Sequence, residues 1–188
     1  MWDETGIVDR FPDGGLKVTW RVPISSGYAG PAVADGRVFV LDWIEDPTSR
    51  TMGGTERVLA LDEDSGAVLW DYEWHTSYRM LMASYAIGPR ATPTVDGDRV
   101  YVVGATGRLF CLDVETGAPR WEMDYASEYD MSVPPWGVTS APLVDGPRLI
   151  TLVGGEPDAL VVAFDKRNGK TVWRNDRNVD YKSDNGDI

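Results

Sequence analysis

Short apolar runs of strand length recur along the chain, each bracketed by turn-forming residues. Arg37-Val38-Phe39-Val40-Leu41, Arg99-Val100-Tyr101-Val102-Val103 and Arg148-Leu149-Ile150-Thr151-Leu152 follow the Asp-Gly pairs Asp35-Gly36, Asp96-Gly97 and Asp145-Gly146. Asp-Gly between two such runs is a strong hairpin signal, because a type I′ turn needs positive φ at both central positions. A Gly-containing turn, Ala105-Thr106-Gly107 or Gly154-Gly155, leads to a third run that ends in Asp62, Asp113 or Asp165. An Asp-x-x-x-Gly turn then delivers a fourth run carrying Trp70, Trp121 or Trp173. The predicted unit is therefore four short antiparallel strands.

The unit repeats with a regular period. Ala60-Leu61-Asp62-Glu63-Asp64-Ser65-Gly66-Ala67-Val68-Leu69-Trp70 returns as Cys111 to Trp121 and again as Ala163 to Trp173. Trp20, Trp70, Trp121 and Trp173 fall 50, 51 and 52 residues apart. In each turn Asp and Ser, Thr or Asn satisfy local amides, while Gly66, Gly117 and Gly169 supply the left-handed position. Each Trp brings enough apolar area to dock one sheet on its neighbour. Four-stranded units of this length, arranged radially, make an all-β fold, the β-propeller.

Three complete blades are predicted at 27–74, 88–125 and 138–175, with a stray fourth strand at 16–22 and an incomplete blade start at 179–188. Known propellers close with about 4–8 blades. Two readings follow: a segment of a larger ring of about seven or eight blades, or two copies completing one ring. The first blade also carries an insertion, Asp42 to Gly54, between its second and third strands. Such an insertion is expected to be a loop, either plain surface or part of a binding face.

Composition narrows the partners. The 188 residues carry a net charge of −12, with 30 Asp and Glu against 18 Lys and Arg. That balance argues against phosphate-backbone binding and against anionic membrane surfaces. Apolar runs stop at strand length, so no membrane span is expected. Residues 1–4 lack the basic and apolar regions of a signal peptide. The single cysteine, Cys111, lies in an apolar strand and reads as a buried thiol.

The phrase Ala-x-Asp-x-x-Thr-Gly-x-x-x-Trp resembles the tryptophan-docking motif of the PQQ-like, or quinoprotein-type, β-propeller repeat. Gly27 to Gly36 and Gly88 to Gly97 are similar to secreted bacterial PQQ-like repeat proteins and to BamB-type proteins. The resemblance implies a non-catalytic binding or scaffold module without a cofactor, placed outside the cytoplasm in the periplasm or beyond. Its partner would be another protein, the remaining propeller half, or a second copy. The alternative the family implies is an alcohol or sugar dehydrogenase using pyrroloquinoline quinone and calcium, with its site mostly outside this span. The dehydrogenases carry a vicinal Cys-Cys pair, and this sequence has none.

No catalytic or metal-binding constellation is predicted. His75 is a lone histidine without a triad or second ligand. Asp62-Glu63-Asp64-Ser65-Gly66 lacks the terminal Glu of a calcium loop, and Gly104-Ala105-Thr106-Gly107 is a hairpin turn with no helix behind it. Two connections rich in aromatics remain. One carries Tyr72, Trp74, Tyr78 and Tyr85, with Arg90 behind them; the other carries Tyr125, Tyr129 and Trp136. They serve either recognition or filling between blades. For a ligand or partner site the expected residues are Tyr85, Arg90 and Trp136.

Overall fold

The computed structural model describes residues 10–82 and 87–175. Twelve strands form three four-stranded antiparallel sheets, each in sequence order. The first comprises β1 (Ala32–Ala34), β2 (Arg37–Glu45), β3 (Gly53–Asp62) and β4 (Val68–Ser77). The second comprises β5 (Thr94–Asp96), β6 (Arg99–Val103), β7 (Arg108–Asp113) and β8 (Pro119–Asp124), followed by helix α1 (Tyr125–Tyr129). The third comprises β9 (Leu143–Asp145), β10 (Arg148–Gly155), β11 (Ala159–Asp165) and β12 (Thr171–Arg174). The first strands β1, β5 and β9 neighbour one another across the sheets. This is part of a β-propeller, and the described residues do not close a ring.

Two apolar layers hold the blades together. Phe39, Leu41, Val58, Ala60 and Trp70 of the first sheet pack on Val100, Val102, Phe110 and Leu112 of the second. Tyr101, Val103, Leu109 and Cys111 project from the opposite face of that second sheet against Leu149, Val162 and Phe164 of the third. Alternate residues of β6 and β7 thus serve opposite neighbours, as a strand buried on both faces requires.

Each Asp-x-x-x-Gly turn is a socket for the preceding tryptophan. The indole Nε1 of Trp20, Trp70 and Trp121 donates to the carbonyl of Glu63, Val114 and Lys166 at 2.8, 3.0 and 3.2 Å. Those carbonyls belong to the residue after the turn's Asp in all three cases. The rings lie flat on the turn glycines. A Cβ on Gly66, Gly117 or Gly169 would fall 2.7, 2.5 or 2.8 Å from a carbon of Trp20, Trp70 or Trp121. All three glycines also hold φ between +71° and +73°. Glycine is therefore required twice, by backbone conformation and by contact. The turn is self-braced, since Asp113 Oδ1 accepts from the amides of Glu115 and Thr116 and from the Thr116 hydroxyl. Arg120 and these donors hold the Asp113 carboxyl down at about 2.

Several sequence expectations are revised. Residues 16–22 form no strand ladder among the described residues, although Trp20 is docked. A strand exists only with a hydrogen-bonded neighbour, and no described strand pairs with this segment. Residues 179–188 lie outside the described residues. The Asp42–Gly54 insertion is only partly a loop: Asp42 to Glu45 extend β2 and pair with Gly54 to Arg57 of β3, which leaves residues 46–52 as the hairpin tip. The Asp-Gly turns also differ. Asp35 and Gly36 both have positive φ, but in the second and third sheets only Gly97 and Gly146 do. There Asp98 and Pro147 take the second turn position, and a proline ring is locked at negative φ.

The sockets predict a graded response. Trp70→Phe keeps apolar area but leaves the Val114 carbonyl without its donor, costing about 1–3 kcal/mol. Trp70→Ala costs about 3–5 kcal/mol. Trp173 is 38% exposed, so Trp173→Ala should cost distinctly less than Trp70→Ala. Urea unfolding of the three variants measures the order, and equal losses at Trp70 and Trp173 would contradict it.

Candidate functional site

The alternation of strand ends separates two faces. One carries the β1–β2-type turns and the tryptophan sockets, joined by Glu63 N donating to Gly36 O, Val114 N to Asp98 O and Lys166 N to Pro147 O. The opposite face carries the β2–β3-type hairpin tips and the long connections between blades. The two connections meet where Met82 N donates to Pro135 O, and the second also reaches the β6–β7 hairpin tip, where Val138 N donates to Ala105 O, both at 2.8 Å.

Beneath this second face lies a buried polar cluster. Glu56 sits on β3 with Val58 and Ala60 on the same side of the strand, so the period of two drives its carboxylate into the layer between sheets. It is 0% exposed. Oε1 accepts from the Tyr78 hydroxyl at 2.5 Å and from the Ala105 amide at 2.8 Å, and Oε2 accepts from Trp74 Nε1 at 2.7 Å. The carboxyl thus ties the first sheet to the β6–β7 turn of the second. Gly104 must be glycine here, because a side chain would collide with the Glu56 carboxyl. Trp43 stacks on Tyr78 with ring centroids 4.6 Å apart, which completes the cluster. Burial pushes the Glu56 carboxyl upward against the pull of its three donors, and burial likewise raises the Tyr78 phenol.

A second buried carboxylate, Asp42, is held by Arg57 in a two-pronged pair at 3.0 and 2.8 Å and by the Ser25 amide at 2.8 Å. That pair raises the Arg57 guanidinium further. Both carboxylates are consumed by structural partners. Among the described residues no three His, Cys, Asp or Glu side chains converge as a metal site.

The loop aromatics divide between the two roles. Trp74, Tyr78, Tyr125, Tyr129 and Met131 are buried and fill space between blades. Tyr72, Trp74 and His75 belong to β4 rather than to a connection. Of the expected site residues, Tyr85 lies outside the described residues. Arg90 is half-buried near Tyr78, where burial raises the phenol and the Arg90 charge offsets only a small part of that rise. Trp136 is 46% exposed and lies on the following connection. It lines a 270 Å³ cleft with Pro134, Val138, Leu152, Val153 and Leu160. Another cleft, of 440 Å³, lies between the N-terminal segment and the long hairpin, with Ile24, Ser26, Trp43 and Ile87 in its walls. Glu56 was the residue that motif searching passed over. Its signal was an acid in register with the core-facing residues of β3.

Blades docked by indoles on glycine turns define a β-propeller of the PQQ-like repeat class. The family model described as outer membrane protein assembly factor BamB matches residues 13–78 and 54–184, and the chain belongs to that family. It is 26% identical over 164 residues to quinohemoprotein alcohol dehydrogenase ADH-IIG of Pseudomonas putida, covering 85% of this chain and 21% of the relative. It is 31% identical over 121 residues to ADH IIB of the same organism, covering 63% and 17%. Against the outer membrane protein assembly factor BamB of Aliivibrio fischeri it is 33% identical over 76 residues, covering 40% and 20%. The chain therefore spans about a fifth of these relatives. The solved quinohemoprotein alcohol dehydrogenase of Comamonas testosteroni superimposes with a TM-score of 0.56 at 22% identity, covering 80% of this chain and 21% of that one, which supports the shared fold.

Glu56 yields a pH test. Its folded proton affinity exceeds the ordinary value of 4.5, so its contribution is fully present below that pH and declines as pH rises through the raised value. Glu56→Gln sets an amide N–H against one of the donors Trp74 and Ala105, costing about 1–3 kcal/mol. The stability gap between wild type and Glu56→Gln should be widest at acid pH and narrow as pH rises. A gap that widens with pH would show the ionised carboxylate to be the favoured form.

Proposed function

We propose that the chain is a non-catalytic binding module within a larger PQQ-like propeller, working outside the cytoplasm as a scaffold for a protein partner. The observation that carries this is the loop face. There Trp136, which lines a cleft, stands 46% exposed, and Met80 and Met82 of the preceding connection stand 74% and 44% exposed. Exposed aromatics and methionines are recognition chemistry. The two buried carboxylates, by contrast, are taken up in holding blades together. The relationship to outer membrane protein assembly factors supports the same role.

One specific observation favours a second function. Two quinohemoprotein alcohol dehydrogenases match this chain at 26% and 31% identity. Under it, pyrroloquinoline quinone and calcium would be held mainly by blades outside this span. The described carboxylates do not fit such a site, since Asp42 and Glu56 are already satisfied and buried. The discriminating experiment supplies the purified protein with pyrroloquinoline quinone, calcium, a primary alcohol and a redox dye. The expected result is an unchanged absorbance spectrum and no dye reduction. Alcohol-dependent dye reduction overturns the scaffold function.

A further inference from the structure

We infer that the outer edge of the first sheet takes up an extended segment of a protein partner as a fifth strand, with Lys or Arg at alternate positions of that segment. The inference rests on the binding-module function in taking a protein as partner, and it adds a second surface on the outer rim. β4 ends its sheet and is paired on one side only, to β3. Tyr78 N donates to Met52 O, one step beyond the Gly53–Ser77 pair. By the strand's period of two, the N–H and C=O groups of Asp71, Glu73 and His75 therefore point away from β3. No described strand pairs with them. A row of unpaired backbone groups is a template for another chain, which short strands, proline or charge ordinarily blunt. The other two outer strands are shorter. β8 has six residues and begins with Pro119, and β12 has four. β4 has ten residues and no proline.

Register supplies the partner's chemistry. Asp42, Arg57 and Glu73 stand directly opposite one another on β2, β3 and β4, so one row across the sheet reads acid, base, acid. A fifth strand continues that row with a cation opposite Glu73, and a second cation two residues along falls opposite Asp71 on the same side. Both carboxylates are exposed, and neither forms an ion pair with a described residue. Arg57 is held by Asp42 at 2.8 Å and feels Asp71 and Glu73 only at longer range. On β8, by contrast, Glu122 is tied to Arg108, and Arg120 to Asp98 and Asp113. Tyr72, between the two acids, is half-buried on the other side of the sheet, where a β-branched residue of the added strand packs against it. A second copy is the poorer occupant. β4 contains no Lys or Arg, so pairing it with itself brings carboxylates together, which is destabilising. The edge therefore selects alternating basic and β-branched residues, bound through the backbone and sorted by charge.

The test uses fluorescein-labelled peptides read by anisotropy against the purified protein: Thr-Lys-Val-Lys-Val-Lys-Thr, its Glu-for-Lys counterpart, and two basic peptides N-methylated at every Lys or at every Val. The basic peptide should bind saturably, and the acidic one at least about tenfold more weakly. One methylated peptide should lose binding and the other keep it, because only alternate amides of an added strand face the edge. Asp71→Asn with Glu73→Gln should weaken the basic peptide by about tenfold and flatten its salt dependence. Both side chains are exposed, so the thermal midpoint should stay near wild type. Equal binding of the two methylated peptides would mean charge attraction without strand addition and overturns the inference, as does undiminished binding by the double variant. A wild-type dimer dissolved by the basic peptide would assign the edge to a second copy and overturns it as well. Dye reduction accompanied by peptide capture would remove the non-catalytic function and leave the edge standing, whereas neither dye reduction nor capture strikes the edge alone.

Discussion

The contact between an indole and the glycine turn of the next sheet is the interaction on which the rest depends. It joins two demands in one place. The ring needs a flat apolar floor, which only a residue without Cβ provides, and its N–H needs a buried acceptor. The turn answers both, because its glycine is already at positive φ and the carbonyl after Asp points at the incoming indole. Trp121 shares its acceptor, since Lys166 O also takes the Tyr101 hydroxyl at 2.9 Å. Register between neighbouring blades is thereby set by covalent spacing. Sequence separations of 43, 44 and 45 residues link indole and acceptor across the three sockets. A small drift in blade length is absorbed in the connections and leaves the socket untouched.

Ion pairs follow this arrangement and do not create it. Arg37 reaches Glu115 across the first junction, and Lys166 reaches Asp96 across the second, both on the socket face. These are partly exposed pairs of the kind that contributes little individually. Their partners change identity and even sign direction between junctions, while indole, glycine and carbonyl stay fixed. The apolar layer and the socket therefore specify the blade geometry, and the charges decorate it.

The repeat was legible in the sequence because its signals are local. Asp-Gly, Asp-x-x-x-Gly and a terminal Trp mark turns and a large side chain at fixed offsets, so three sheets could be placed from spacing alone. What escaped depended on distant neighbours. The lengthening of β2 and β3 was hidden because Asp42 and Glu45 look like loop residues until Arg57 and the N-terminal segment bury Asp42. Glu56 reads as a surface acid until Tyr78, Trp74 and Ala105, which lie 22, 18 and 49 residues away, converge on it. The turn residues 97–98 and 146–147 shifted by one position, because register is chosen by strand pairing as well as by the dipeptide. The division of loop aromatics into buried and exposed sets also needed the fold, since Tyr125 and Trp136 are indistinguishable by residue type.

The division between faces has a physical origin in the four-stranded blade. With an even number of strands, every socket turn falls at one end and every connection between blades at the other. The socket end is fixed by the docking contact and has little freedom to vary. The connecting end carries no such requirement, so its length and composition differ from blade to blade: a ten-residue β4 after one hairpin, a short helix after another. Glu56 and the Trp43–Tyr78 stack brace the first of these connections from below, which lets the residues above them stay exposed without loosening the blade. The connecting end can therefore vary in length and composition above a layer that cannot.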